Sequence, residues 1–133
     1  MSREKPNKDE RDVTEKILAI KSMLLDECRT LGVSPGIRVY PDLYYDDLGQ
    51  PSRMLELSTG RRTSMRVGIE KRTHSTSGRW GLGWTIFIDG KSVDEGTVAS
   101  IRIELLRPSL DQALSTYLHL DQAFGPNNAS ARG

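Results

Sequence analysis

Residues 84–90 read Trp84-Thr85-Ile86-Phe87-Ile88-Asp89-Gly90, and this stretch decides the fold. Large apolar residues at 84, 86 and 88 follow the two-residue period of a β-strand that has one buried face. The run ends in Asp-Gly, a pair that accepts the positive φ angles which both central residues of a type I′ turn require. We therefore predict a strand that turns directly into an antiparallel neighbour.

Similar short runs lie on both sides of this hairpin. The alternating apolar residues are Ile37 and Val39, Leu55 and Leu57, Met65, Val67 and Ile69, and, after the hairpin, Ala99, Ile101, Ile103 and Leu105. Turn-forming residues separate the runs, so the connections between them are short. The pattern predicts an antiparallel meander of four or five strands.

Two segments of this meander need separate treatment. Residues 97–106 fit a helix by the spacing of Val98, Ile101 and Leu105. We favour a strand there, because β-branched residues fit a pleated sheet and alternate with charged ones. The glycine-rich residues 78–84 predict a flexible or bulged start of a strand, where the backbone of a partner could approach closely.

A long amphipathic helix precedes the meander. Apolar residues recur every three or four positions from Val13 to Leu31 and share one helical face. Asp12 and Glu15 have the spacing of a capping box, and Gly32 supplies the left-handed residue that commonly ends a helix. The prediction is a helix over about 13–31.

A second helix follows the meander. Ser109 and Gln112 form another capping-box pair, and Gly125-Pro126 ends the apolar pattern. The element order predicts a single α+β domain over residues 12–125, with both helices packed on one face of the sheet. Residues 1–11 and 126–133 are polar, and we expect both to be disordered tails.

Composition limits the classes of protein that fit. The chain has 133 residues, 36% hydrophobic content, a net charge of +1 and one cysteine, Cys28. No apolar run is long enough for a membrane span and the charged N-terminus does not resemble a signal peptide, so we expect a soluble cytoplasmic protein. The charge is uneven, because residues 50–91 carry eight basic against three acidic side chains.

The search for catalytic chemistry finds incomplete patterns. The two histidines, His74 and His119, lie in different elements without zinc-ligand spacing. Asp46 and Asp47 precede Leu48-Gly49, where aspartate caps a turn, and Cys28 lies on the apolar face of the first helix. We therefore expect no enzymatic activity, no metal and no cofactor.

The basic middle segment is the candidate binding surface. The predicted partner-binding residues are Arg61, Arg62, Arg66, Arg72, Arg79 and Trp80. Guanidinium groups beside an aromatic ring suit an acidic protein surface or the phosphates and bases of nucleic acid. Tyr40, Tyr44 and Phe87 have the parity to lie on the uncovered face of the sheet.

Two functions follow from this surface. The first is a small protein-interaction domain of the regulator, adaptor or inhibitor type, with a protein as its partner. The alternative is a nucleic-acid-binding domain that uses the same arginines. Leu18, Met23 and Leu25 widen the apolar face of the first helix, which therefore also offers a surface for a homodimer.

Overall fold

A computed structural model describes residues 7–59, 62–72 and 79–124. The elements in chain order are helix α1 (Lys8–Leu31), strands β1 (Gly36–Val39), β2 (Tyr44–Tyr45), β3 (Pro51–Ser58), β4 (Thr63–Arg72), β5 (Arg79–Ile88) and β6 (Lys91–Ser100), a 3₁₀-helix η1 (Ile103–Leu106) and helix α2 (Arg107–Phe124). No helix in these described ranges is long and apolar enough to cross a membrane.

The strands form one antiparallel sheet in the order β1-β3-β4-β5-β6, with β2 paired to the start of β3. The predicted α+β order of helix, meander and helix is confirmed, with one short strand more than expected. Asp89 and Gly90 have φ angles of 53° and 81°, as the predicted type I′ turn requires. The hairpin that decides the fold therefore forms where the sequence places it.

Helix α1 begins earlier than predicted. Its capping box consists of Asn7 and Glu10, which bond reciprocally to each other's backbone N–H, and residues 8–11 of the expected tail are helical. Asp12 does not cap the helix, because it lies inside it and accepts a hydrogen bond from Lys71 on β4. This contact gives the first turns of α1 a tertiary anchor that no local pattern reveals. The C-terminal stop at Gly32, with φ 74°, agrees with the prediction.

Residues 97–106 divide between the two predicted structures. β6 continues to Ser100, and a 3₁₀ turn then replaces the expected strand. Ile103 and Leu106 are buried while Ile101 and Leu105 are exposed, which is the three-residue period of a 3₁₀-helix and not the two-residue period of a strand. α2 follows at once from Arg107, so Ser109 lies within its first turn and not at its N-cap. The predicted stop at Gly125-Pro126 and the tail at 126–133 lie outside the described residues.

The two faces of the sheet differ in cover. The face that we call the covered face packs against α1 and α2 and supplies one continuous core. Its most deeply buried strand residues are Leu55, Leu57, Met65, Val67, Ile69, Leu82 and Ile86. The side chains of opposite parity form the open face. The predicted bulge at the start of β5 is not present from Arg79 onward, because β5 pairs regularly there and the register shift falls at Ile86/Phe87, opposite Val93. Gly78 lies outside the described residues.

Candidate functional site

The structure describes five of the six predicted binding residues and does not bring these five together. Arg61 lies outside the described residues, and Arg62 directly precedes β4. Arg72 ends β4 and is the register partner of Arg79. β4 has ten residues, and a strand rises by about 3.3 Å per residue. Arg62 at one end of β4 therefore lies roughly 30 Å from Arg72 and Arg79 at the other end. Arg62 and the pair Arg72 and Arg79 therefore lie at opposite ends of the sheet.

Arg62 is occupied by a local ion pair. Its Nε donates to Asp89 Oδ1 at 2.8 Å, and an Nη donates to the other carboxylate oxygen. This contact lowers the pKa of Asp89 and raises that of Arg62, with the hydrogen bond between the two side chains as the largest cause. The pair links the start of β4 to the β5–β6 turn, so Arg62 already has a carboxylate partner.

Trp80 belongs to the covered face. It is 8% exposed and has the ammonium groups of Lys16 and Lys71 at 5.6 and 5.8 Å from its ring centroid. Lys71 also donates a hydrogen bond to Asp12 at 2.7 Å and lies 3.2 Å from Asp9. The hydrogen bond from Lys71 is the main cause that lowers the pKa of Asp12 to about 2. Trp80 thus helps to hold α1 on β4.

Arg66 is the predicted site residue that lies at the centre of the open face. Its guanidinium carbon is 5.0 Å from the Phe87 ring centroid and 5.7 Å from that of Tyr40. Arg38 lies 4.9 Å from the same Tyr40 centroid. The four side chains Arg38, Tyr40, Arg66 and Phe87 form what we call the arginine–aromatic row, which crosses the sheet from β1 to β5. The expected outward parity of Tyr40 and Phe87 is confirmed.

The charges along this row are unequally compensated. Glu56 is the register partner of both arginines, and its carboxylate lies 3.7 Å from Arg38. Within the described ranges, no carboxylate lies at ion-pair distance from Arg66, and its Nε is buried without a hydrogen-bond partner. Two aromatic rings therefore hold a guanidinium whose positive charge lacks a paired carboxylate.

A groove of about 580 Å³ adjoins Arg66 on the open face. Gly68, Gly81 and Gly83 form part of its lining, and Gly68 and Gly83 are direct register partners. A Cβ at position 83 would meet only ordinary contact, 3.6 Å from the nearest Thr97 carbon. Gly83 therefore leaves a depression in the sheet surface, and the side chain of Met54, which comes within 3.2 Å of a Cβ at position 68, borders it. The sequence shows the glycines, but pairing them requires the strand register.

The residues considered for catalysis have structural roles or exposed positions. Cys28 is a buried free thiol whose pKa is raised by desolvation, and His119 is exposed on α2. Asp46 Oδ1 accepts hydrogen bonds from the N–H groups of Leu48 and Gln50, which confirms the predicted turn. Across the described part of the chain, no three His, Cys, Asp or Glu side chains cluster as metal ligands. His74 lies outside that part.

Comparison of the chain with protein-family models, with curated proteins and with solved structures finds no match. The candidate site is therefore defined by its geometry: an arginine–aromatic row beside a groove, on a sheet face that neither helix covers. Sequence reasoning found Arg66, Tyr40 and Phe87. It missed Arg38 and the groove, since both depend on which strands are neighbours.

Proposed function

We propose that this chain is a non-enzymatic protein-interaction domain that binds its partner through the open face, with Arg66 at the centre. The observation that carries the proposal is the guanidinium of Arg66, held between Tyr40 and Phe87 without a paired carboxylate, at the rim of the groove. Tyr and Arg are enriched among residues that dominate binding energy at protein interfaces.

The rigidity of the row supports a binding role. An exposed arginine loses side-chain entropy when a partner fixes it, and this loss subtracts from the affinity. Contacts with two rings already restrict Arg66 in the free protein, so less entropy is lost on association. A planar guanidinium then presents paired donors to a carboxylate.

The charges of the open face favour a partner of defined chemistry. A partner that places an Asp or Glu side chain against Arg66 supplies the missing counter-charge. On β6, Glu95 is exposed and shares a register row with Thr85 and Arg66, so a basic group on the partner completes the match there. The groove between them accepts small or medium apolar side chains.

The nucleic-acid alternative has less support from the same geometry. A base that stacks on a ring needs a free ring face, whereas guanidinium groups lie over both Tyr40 and Phe87. The open face also carries the carboxylates of Glu56 and Glu95 near its arginines. Strong binding to phosphate chains needs several uncompensated positive charges.

We also infer a cytoplasmic location. The chain has one cysteine, and Cys28 is a buried free thiol. A fold that uses no disulfide suits a reducing compartment.

Capture of partners from the native host by the immobilised protein tests the proposal. Arg66→Glu reverses the central charge and Gly83→Val fills the groove. Each is expected to reduce recovery of the same partner at least tenfold, with Gln112→Glu on the exposed side of α2 as the matched control. Circular dichroism checks that the variants are folded.

Two further measurements separate the alternatives. The double variant Arg62→Gln/Arg79→Gln tests the two ends of the sheet. If this double variant loses the partner and Arg66→Glu retains it, the binding site does not lie on the open face. Fluorescent single-stranded and duplex oligonucleotides are titrated at low and high salt. Tight oligonucleotide binding that depends on Arg66 and is lost as salt rises would show that the partner is nucleic acid and not protein.

A further inference from the structure

The side of α1 that points away from the sheet carries a regular line of exposed residues. This outer ridge consists of Arg11, Glu15, Leu18, Ser22, Leu25 and Arg29, all of them exposed. Their spacing alternates between four and three residues, so they share one face of the helix. The buried residues Val13, Ile17, Ile20, Leu24 and Cys28 occupy the opposite face. The ridge is therefore directly accessible to another molecule.

Two leucines stand out on this polar line. Leu18 is 49% exposed and Leu25 is 37% exposed, one heptad apart, with the small Ser22 between them. An exposed leucine by itself needs no explanation. Two at heptad spacing around a small residue form a short seam of the kind that pairs with another helix.

The ridge is complementary to itself in the antiparallel direction. When a second α1 lies antiparallel with a two-fold axis at Ser22, Leu18 faces Leu25 of the second copy. Glu15 then faces Arg29 of the second copy, and both contacts occur twice. Ser22 of each copy lies at the axis, where a small side chain permits close approach of the helices. In a parallel arrangement without offset, each charged ridge residue would face its own like charge.

We propose that the outer ridge of α1 is a homodimer interface in which two copies pack antiparallel about a two-fold axis at Ser22. This inference is independent of the proposed partner site. The contact is small, because it uses one helix face and two leucines per copy. Interfaces at the low end of size are weak, and we expect a dissociation constant on the order of 10 µM.

Arg29 already contacts Asp26 at 3.1 Å, but their side chains are 78% and 58% exposed. An ion pair this exposed is weak, and the guanidinium has further donors for Glu15 of the second copy. The dimer leaves the open faces free, since α1 covers the other face of each sheet. Two copies packed through α1 would present their open faces outward, as a bivalent binder.

Cysteine cross-linking of the full chain tests the axis. Helices packed 8–10 Å apart, each with Cα atoms at a radius of about 2.3 Å, bring facing Cα atoms to about 3.4–5.4 Å, a range that overlaps disulfide geometry. Ser22→Cys is therefore expected to form a covalent dimer on mild oxidation. Glu15→Cys is the matched control on the same ridge, because two copies of position 15 would be about 21 Å apart along the antiparallel pair. Wild type gives the background from the buried Cys28.

Sedimentation equilibrium from about 1 to 500 µM measures the association itself. We expect a mass that rises toward twice that of the monomer, and a dissociation constant at least tenfold higher in Leu18→Glu, a change at an exposed site that preserves the fold. A monomer throughout this range would overturn the proposal. So would a dimer unaffected by Leu18→Glu, or cross-linking of Glu15→Cys as efficient as that of Ser22→Cys.

Discussion

Replacement of Gly96 on β6 by alanine tests how the edge of the sheet is built. Gly96 is the register partner of Trp84 on β5, and the indole of Trp84 covers it. A Cβ at position 96 would lie 2.7 Å from Trp84 Cε2 and closer still to Cζ2. Ordinary carbon contacts are about 3.5–4.0 Å, so the indole or the strand must move by about 1 Å.

The expected magnitude combines two opposing effects. Overpacking costs about 1–3 kcal/mol. Alanine also reduces the conformational entropy of the unfolded chain, which stabilises the folded protein by about 0.4–1 kcal/mol where the backbone angles suit alanine. They suit it here, because the φ angle of Gly96 is not positive. The net destabilisation of Gly96→Ala is therefore about 1–2 kcal/mol. Gly83→Ala is the matched control, since its Cβ would make ordinary contact, and we expect it to be neutral or slightly stabilising.

Urea denaturation followed by tryptophan fluorescence measures both variants. At a slope of about 1–3 kcal/mol/M, the midpoint of Gly96→Ala should fall by roughly 0.3–2 M. A double-mutant cycle with Trp84→Leu isolates the cause: without the indole, Gly96→Ala should cost nothing, giving a coupling energy of about 1 kcal/mol or more. Equal midpoints for Gly96→Ala and Gly83→Ala, or an absence of coupling, would refute the reasoning.

Three further predictions concern anchors of the fold. The carboxylate of Asp12, paired with Lys71, has a pKa of about 2, below the ordinary 3.9. Its contribution of about 1 kcal/mol, discounted because both groups are partly exposed, is therefore present above pH 4 and lost as pH falls toward 2. Asp12→Asn should unfold less steeply over that window in acid titrations followed by circular dichroism, and an acid profile identical to wild type would contradict this. Tyr117→Phe removes the buried hydroxyl that accepts from the Thr59 N–H at 3.2 Å and should cost about 1–2 kcal/mol in thermal unfolding, whereas no loss would mean that the hydroxyl does not contribute. Asp46→Ala deletes the acceptor of two turn N–H groups and should lower stability by about 1 kcal/mol, with amide exchange accelerated locally; unchanged exchange in this turn would argue against that role.

Features encoded over a few residues could be predicted from the sequence. The two-residue period ending at Asp89-Gly90 defines the β5–β6 hairpin, and the turn forms with the expected φ angles. The apolar face of α1 is also correct from Val13 to Cys28, whereas Leu31, the last residue predicted for it, is exposed. In each case the local pattern and the tertiary environment favour the same structure.

Features that depend on strand neighbours could not be predicted. The arginines at 62 and 72 are close in sequence, but an intervening strand carries them to opposite ends of the sheet. The covered position of Trp80, under Lys16, is an exception that could have been predicted, because Trp80 shares the parity of Trp84 and Ile86 on the same strand. The arginine–aromatic row joins Arg38 to residues nearly fifty positions away, and only the register brings them together.

Methionine methyl NMR during titration with the captured partner tests the central claim most directly. Met54 lies over Gly68 on the open face, Met23 lies on α1, and Met65 is buried in the core. If the open face is the binding surface, the Met54 methyl signal should shift or broaden while those of Met23 and Met65 stay in place. A Met23 signal that responds while Met54 does not would contradict the account.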